Sequence, residues 1–175
     1  MSNGDQTLDR REAILERLFT LGQGLNGIQT VLRNPNPPPR GVVQGLLLVP
    51  RPALFLFDGD TRLEQDTLRF KNQKMPATIW RMDPELAILI EQRDNFENTA
   101  LGADVSPIGQ EISSWVTAVN NQVINDPVIL DLVSANGTHF RRAVTTSLKS
   151  TRDVGNYGAW AVMLYDFLYP VFPPR

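Results

Sequence analysis

Apolar residues recur with a helical period near the start of the chain. Ile14, Leu18, Leu21 and Leu25 fall at i, i+4, i+7 and i+11, and Leu15 and Phe19 widen the stripe. Asp9 is placed to cap this helix, with Glu12 three residues later as the reciprocal partner of a capping box. Gly22, Gly24 and Gly27 are the expected stop. The pattern then changes to a period of two. "IQTVLRN" reads as a short strand, and "PALFLFDGD" as a strand apolar on both faces and therefore central. "PATIWRMD" and "PELAILIEQRD" are strand-like runs broken by Asp83-Pro84. The helical period returns after Ser106-Pro107, an N-cap followed by proline, in Ile108, Ile112, Trp115, Val116, Val119 and Val123. Asp126-Pro127 repeats that signal for a short helix, "PVILDLV", stopped by "ANG". "THFRRAVTTSLKS" and "YGAWAVMLYDFLYPV" close the pattern as a hairpin around "TRDVGN".

This order predicts an α+β fold: one mostly antiparallel sheet with two main helices packed on one face. At 175 residues, a single domain spanning 1–175 is expected. One segment departs from the pattern. Residues 34–52, "NPNPPPRGVVQGLLLVPRP", hold six of the thirteen prolines and cannot be a central strand. Their middle, Val42 to Val49, is nevertheless apolar. Two readings stand: a long loop folded back onto its own core, or an arm that buries Leu46, Leu47 and Leu48 against another subunit.

Composition narrows the chemistry. The chain has no cysteine, which excludes disulfides, zinc–thiolate sites and thiol catalysis. Seventeen basic residues against nineteen acidic ones give a net charge of −2, too acidic for binding by phosphate neutralisation. The charged start "MSNGDQTLDRREAI" does not read as a signal peptide. Apolar runs such as "GLLLV" fall far short of the ~20 residues that cross a bilayer, so a soluble protein without a membrane partner is expected.

The most chemistry-like stretch is "ALFLFDGDTRLEQD", with Asp58, Asp60, Glu64 and Asp66 close together. A calcium loop begun at Asp58 would need a ligand at position 5, glycine at 6 and glutamate at 12, but those positions hold Arg62, Leu63 and Arg69. Asp-Gly is a turn element, and a strand-ending turn is the expected role. His139 is the only histidine and has no nucleophile elbow to serve. Arg141 and Arg142 alternate across a strand as a surface pair would, and Trp80, Trp115 and Trp160 lie in regularly apolar elements. No catalytic, cofactor or metal residue is therefore expected. What remains is apolar surface beyond the needs of a core: the 42–49 segment, the strand "AWAVMLYDFLYP" and the end "VFPPR".

The helix "REAILERL", the strand ending "VLRN", the strand "PALFLFDGD", the run "RMDPELAILIEQ", the helix after Ser106-Pro107 and a last pair closing near "WAVMLYDFLYP" together resemble the tail-terminator, or tail-completion, proteins of tailed bacteriophages. The 34–52 insertion exceeds a compact member of that family. The resemblance implies a non-enzymatic virion subunit of the tail–head junction, assembled in the host cytoplasm. Such subunits form a ring, commonly a hexamer, that ends tube polymerisation and docks to the head connector while DNA passes through unread. Partners would be further copies, the tail-tube protein and the connector or neck proteins. A head-to-tail ring needs two adhesive patches. Val43, Leu46, Leu47, Leu48, Val49, Tyr169 and Phe172 are the expected interface residues. A neck adaptor or tube subunit is the alternative within that class. A metal-dependent enzyme using Asp58 to Asp66 is the alternative outside it.

Overall fold

The computed structural model describes residues 3–35, 49–68, 77–90, 106–135, 138–139, 142–145, 151–152 and 159–172. It is an α+β fold, as the hydrophobic pattern predicts. Helix α1 (Asn3–Gln23) leads into strand β1 (Thr30–Arg33), followed by β2 (Ala53–Phe57), β3 (Thr61–Leu68), β4 (Ala77–Met82) and β5 (Glu85–Leu89). Helices α2 (Ser106–Asn125) and α3 (Pro127–Leu132) come next, then short strands β6 (Ser134–Ala135), β7 (Thr138–His139), β8 (Arg142–Thr145) and β9 (Thr151–Arg152). The chain returns through the thirteen-residue strand β10 (Ala159–Val171).

All pairings in the main sheet are antiparallel except β1 with β2, which run parallel. The centre is simpler than the strand count suggests. β10 pairs with β4 through Phe167↔Met82 and with β5 through Leu164↔Glu85, so one register continues across Asp83-Pro84. The Tyr165 amide donates to the Pro84 carbonyl at 3.0 Å and carries the ladder through the break. β4 and β5 are thus two halves of one strand, interrupted where proline has no N–H to give. On its far side this strand pairs with β2 and β3. There Asp58, Gly59 and Asp60 oppose only two residues, Asp83 and Pro84, which makes a bulge. β8 and β9 pair with β10.

The central strands are apolar on the face toward the helices, and part of the other face is apolar as well. Leu54, Leu56, Leu86, Ile88, Met82, Met163, Tyr165, Phe167 and Tyr169 face the helices and join Ile14, Leu15 and Leu18 of α1 with Ile112, Val116, Val119 and Val123 of α2. Ala53, Phe55, Ala87 and Leu89 are buried on the opposite face, with Leu32, Val49, Phe57 and Val162 around them. Helix α1 lies directly on the first strands. A β-carbon at Gly22 would stand 2.7 Å from the Leu54 side chain and 3.3 Å from Val31. Gly22 therefore sets a close approach within the helix rather than ending it.

Two expectations are corrected. The first helix begins at Asn3, so Asp9 is interior and cannot be its cap. Glu12 instead reaches forward to Arg33. Residues 61–68, to which the sequence pattern assigns no element, form strand β3. Its two register shifts against β4 break the alternation that would have marked it. The loop or arm expected at 34–52 lies mostly outside the described residues. Only its ends at Asn34–Pro35 and Val49–Pro52 are described.

Gly59 has φ +67°, and a β-carbon there would meet the Asp83 carbonyl oxygen at 2.0 Å. Gly59→Ala should cost about 2 kcal/mol or more in urea denaturation. Gly24→Ala, whose nearest contact would be an ordinary 3.6 Å, should stay within about 0.5 kcal/mol of the parent.

Candidate functional site

The carboxylates singled out in the sequence can now be placed. Asp58 leaves β2 at the bulge, and Arg33 ends β1 beside it. Arg33 grips Asp58 with two bonds of 2.8 Å, from Nε to Oδ1 and from Nη2 to Oδ2. The other side of the same guanidinium holds Glu12 of α1, through Nη1 to Oε1 and through Nη2 to Oε2 at 2.9 Å. Arg11 adds its charge 3.8 Å from Asp58 and donates to the Thr61 hydroxyl at 2.7 Å. Asn34, at φ 45°, accepts from the Asp58 amide through Oδ1. Four elements meet at this one cluster.

The electrostatics follow from the geometry. The hydrogen bonds from Arg33 hold the Glu12 carboxyl below its ordinary value. Burial pushes the Asp58 carboxyl up, but hydrogen bonds from Arg33 and Asn34, with the charges of Arg33 and Arg11, outweigh it and leave that carboxyl low. Each Asp58 oxygen accepts from the Arg33 guanidinium, and Arg11 adds a second positive charge beside it, so the carboxylate is already neutralised by arginine. The Asp60 amide donates to Asp83 Oδ1 at 2.7 Å, which completes the turn reading of Asp-Gly-Asp. Among the described residues no group of three or more histidine, aspartate or glutamate side chains is arranged to hold a metal.

Two further arginine–carboxylate pairs join neighbouring elements, one between helices α1 and α3 and one between strands β4 and β10, and local sequence carries no trace of either. Asp126 caps α3, accepting from the Ile129 amide at 2.8 Å. Arg17 of α1 also binds it, with contacts of 3.1, 3.1 and 2.6 Å. Arg10, seven residues earlier, donates to the Leu132 carbonyl at the other end of α3 and lies 5.8 Å from the centre of the Phe172 ring. On the far face of the sheet, Arg81 holds Asp166 with bonds of 2.8 and 2.5 Å and stands 3.9 Å from Glu64. Arg81 and Arg62 sit directly opposite each other, so these two carboxylates lie where like charges would otherwise repel.

The residues expected at a subunit interface divide three ways. Val43, Leu46, Leu47 and Leu48 lie outside the described residues. Val49 is half-buried against the Phe55–Leu89 cluster of its own chain. Phe172 is half-buried under Arg10. Tyr169 is a correction: it is fully buried in the main core, so its side chain has no surface to offer a second copy. The reason is the pleat, which turns alternate residues of β10 from Ala161 to Val171 toward the helices. Among the described residues the Tyr169 hydroxyl has no hydrogen-bond partner, and burial pushes its pKa up to about 12. Tyr165 solves the same problem by donating to Asn120 Oδ1 of α2 at 2.6 Å.

Of the other candidates, Trp80 and Trp115 are half-buried against the main core, as their apolar spacing predicts. The Trp115 ring lies over Gly27. His139 pairs with Ser134 in the small β6–β7 ladder. Arg141 is outside the described residues, and Arg142 lies in β8 opposite Phe167. The large apolar side chains most exposed among the described residues were not singled out by sequence: Leu63 on β3, 43% exposed, and Val128 on α3, 44% exposed. The fold places the chain among α+β proteins. Beyond that class, the chain matches no protein-family model and no curated protein sequence.

Asp126, Asp58 and Glu12 all have folded-state pKa values lowered from their ordinary ones. Their contribution is fully present above the unfolded carboxylate value near 4 and is lost as pH falls through the lowered folded values. The urea midpoint should therefore be level from pH 7 to about 5 and fall steeply below about 4. Arg17→Ala, which strands the buried Asp126, should cost about 1–3 kcal/mol at pH 7. Asp126→Asn, which keeps the cap, should cost less.

Proposed function

We propose that the chain is a structural subunit of a tailed-phage virion, a tail terminator that closes a ring at the head-proximal end of the tail tube. The observation that carries this reading is where the charges go. Asp58, Asp126 and Asp166 each accept a two-pronged arginine from another element, so these side chains hold a rigid slab together. A slab of this kind suits a part that works through its surfaces. The α+β arrangement is also the one the tail-terminator resemblance implies.

Ring closure by a head-to-tail contact uses two different patches on each subunit. With Tyr169 committed to the core, Leu63 on β3 and Val128 on α3 become the apolar contacts favoured here. β3 pairs with β4, and no strand among the described residues pairs with its other edge, which would let a neighbouring copy extend the sheet. Six copies are favoured, with the tail-tube and connector proteins as partners and DNA passing through unread. A neck adaptor would use the same surfaces.

Sedimentation velocity and native mass spectrometry across the micromolar range test this. A ring-sized particle is expected, alone or on adding tail-tube protein. Leu63→Glu and Val128→Glu should each reduce the assembled fraction at least tenfold, with the melting temperature held within about 2 °C. A chain that stays monomeric at every concentration, with and without tail-tube protein, overturns the reading.

A further inference from the structure

The side-chain carbonyl of asparagine or aspartate can be attacked by the backbone nitrogen of the next residue. The attack is easiest before glycine, which puts no β-carbon in the way. The chain holds four such dipeptides: Asn3-Gly4, Asn26-Gly27, Asp58-Gly59 and Asn136-Gly137. They read alike in sequence, and the fold separates them. Asn3-Gly4 stands in the first turn of α1, where helical dihedrals fix the backbone. Asp58 is a carboxylate gripped twice by Arg33, which makes it a poor electrophile, and Gly59 is packed against the Asp83 carbonyl. Asn136-Gly137 lies outside the described residues. Asn26-Gly27 is different. Both residues are exposed in the turn after α1, and among the described residues no hydrogen bond holds the Asn26 side chain or the Gly27 amide. The 3.2 Å bonds from the Leu25 amide to the Gly22 carbonyl and from the Ile28 amide to the Leu25 carbonyl anchor the neighbours and skip this pair. Other asparagines are protected: Asn34 precedes a proline, which has no N–H to lose, and Asn125 Nδ2 donates to the Asn121 carbonyl at 2.9 Å.

We propose that Asn26 is a site of spontaneous deamidation whose products loosen the seam between α1 and α2. The Gly27 nitrogen gives its proton to hydroxide and bonds to Cγ of Asn26. The Cγ–Nδ2 bond then breaks, and ammonia leaves with a proton from water, which closes a five-membered imide and returns the hydroxide. Water opens the ring. Addition at Cγ leaves aspartate, and addition at the main-chain carbonyl carbon leaves isoaspartate, with one more methylene in the backbone. Each event consumes one water, releases one ammonia and adds one negative charge, with nothing oxidised or reduced. Both products fit poorly here. The last turn of α1 carries no basic residue, so the new carboxylate meets the negative end of the helix uncompensated. The extra methylene displaces Gly27, and Trp115 of α2 stands so near that a β-carbon on Gly27 would lie 3.1 Å from its ring. Two residues on, the Gln29 amide donates to the Pro52 carbonyl at 2.9 Å and sets the entry to β1.

Peptide mapping of the whole chain after incubation at mildly alkaline pH and body temperature tests this. Asn26 is the only asparagine in the tryptic peptide 18–33. A gain of about 1 Da in that peptide, split into two chromatographic peaks, is the expected signature. The folded chain should react within about tenfold of the rate of the synthetic 18–33 peptide, because no described hydrogen bond closes the turn. Asn26→Gln, whose larger ring closes slowly, should leave the peptide unchanged over the same period. Asn26→Asp should lower the melting temperature by about 2–4 °C. Three results would each overturn the proposal: Asn26 intact after the Asn3 or Asn136 peptide has reacted, a folded rate more than about a hundredfold below the peptide's, or an Asn26→Asp chain that melts with the parent. Mass measurements that reject the ring leave this proposal untouched.

Discussion

The fold depends on one unbroken register, that of β10 against the strand formed by β4 and β5. Ten of the thirteen residues of β10 find a partner there, and the Tyr165–Pro84 hydrogen bond bridges the point where proline would split the ladder. Everything else hangs from this pair. The β2–β3 bulge lies against the outer side of the interruption, and the helices lie on the face that β10 fills with Met163, Tyr165, Phe167 and Tyr169. Because side chains alternate strictly, a slip of one residue would send these four to the other face and replace them with Leu164, Asp166, Leu168 and Pro170. The Arg81–Asp166 pair guards against that slip, since it forms only when both residues share the far face.

The arginine–carboxylate pairs do different jobs from the apolar contacts. Apolar burial is non-directional and tolerates small rotations of a helix on its sheet. A two-pronged guanidinium does not. Arg33 fixes the angle between α1 and the ends of β1 and β2, and Arg17 fixes α3 against α1. Partial exposure and solvent screening keep the net stability of such pairs modest. Their contribution is orientation.

The sequence makes the helices and the central strand legible because each carries its own period. Ile112 to Val123 repeats every three or four residues, and "ALFLF" is apolar on both faces because both are buried, Leu54 and Leu56 under the helices and Ala53 and Phe55 in the opposite cluster. Asp126-Pro127 announces α3 because cap and proline are local chemistry. Strand β3 stays hidden because its bulged pairing does not need alternation, and "TRLEQDTL" has none. The parallel sense of β1 and β2 has no local signature at all. Nor do the ion pairs, whose partners are 21, 25, 85 and 109 residues apart. Tyr169 is misread for a different reason. A long apolar final strand looks like surplus surface until the helices that cover it are counted.

Arg10 and Arg17 hold opposite ends of α3 from positions separated by seven residues of α1, close to two helical turns. Adding or deleting one residue between them would rotate one arginine about 100° from its target while the other stayed in place. That stretch of α1 therefore acts as a ruler, and its length is less negotiable than its composition. In divergent copies of this chain, insertions should gather elsewhere, and the arginine spacing should outlast the apolar residues between them.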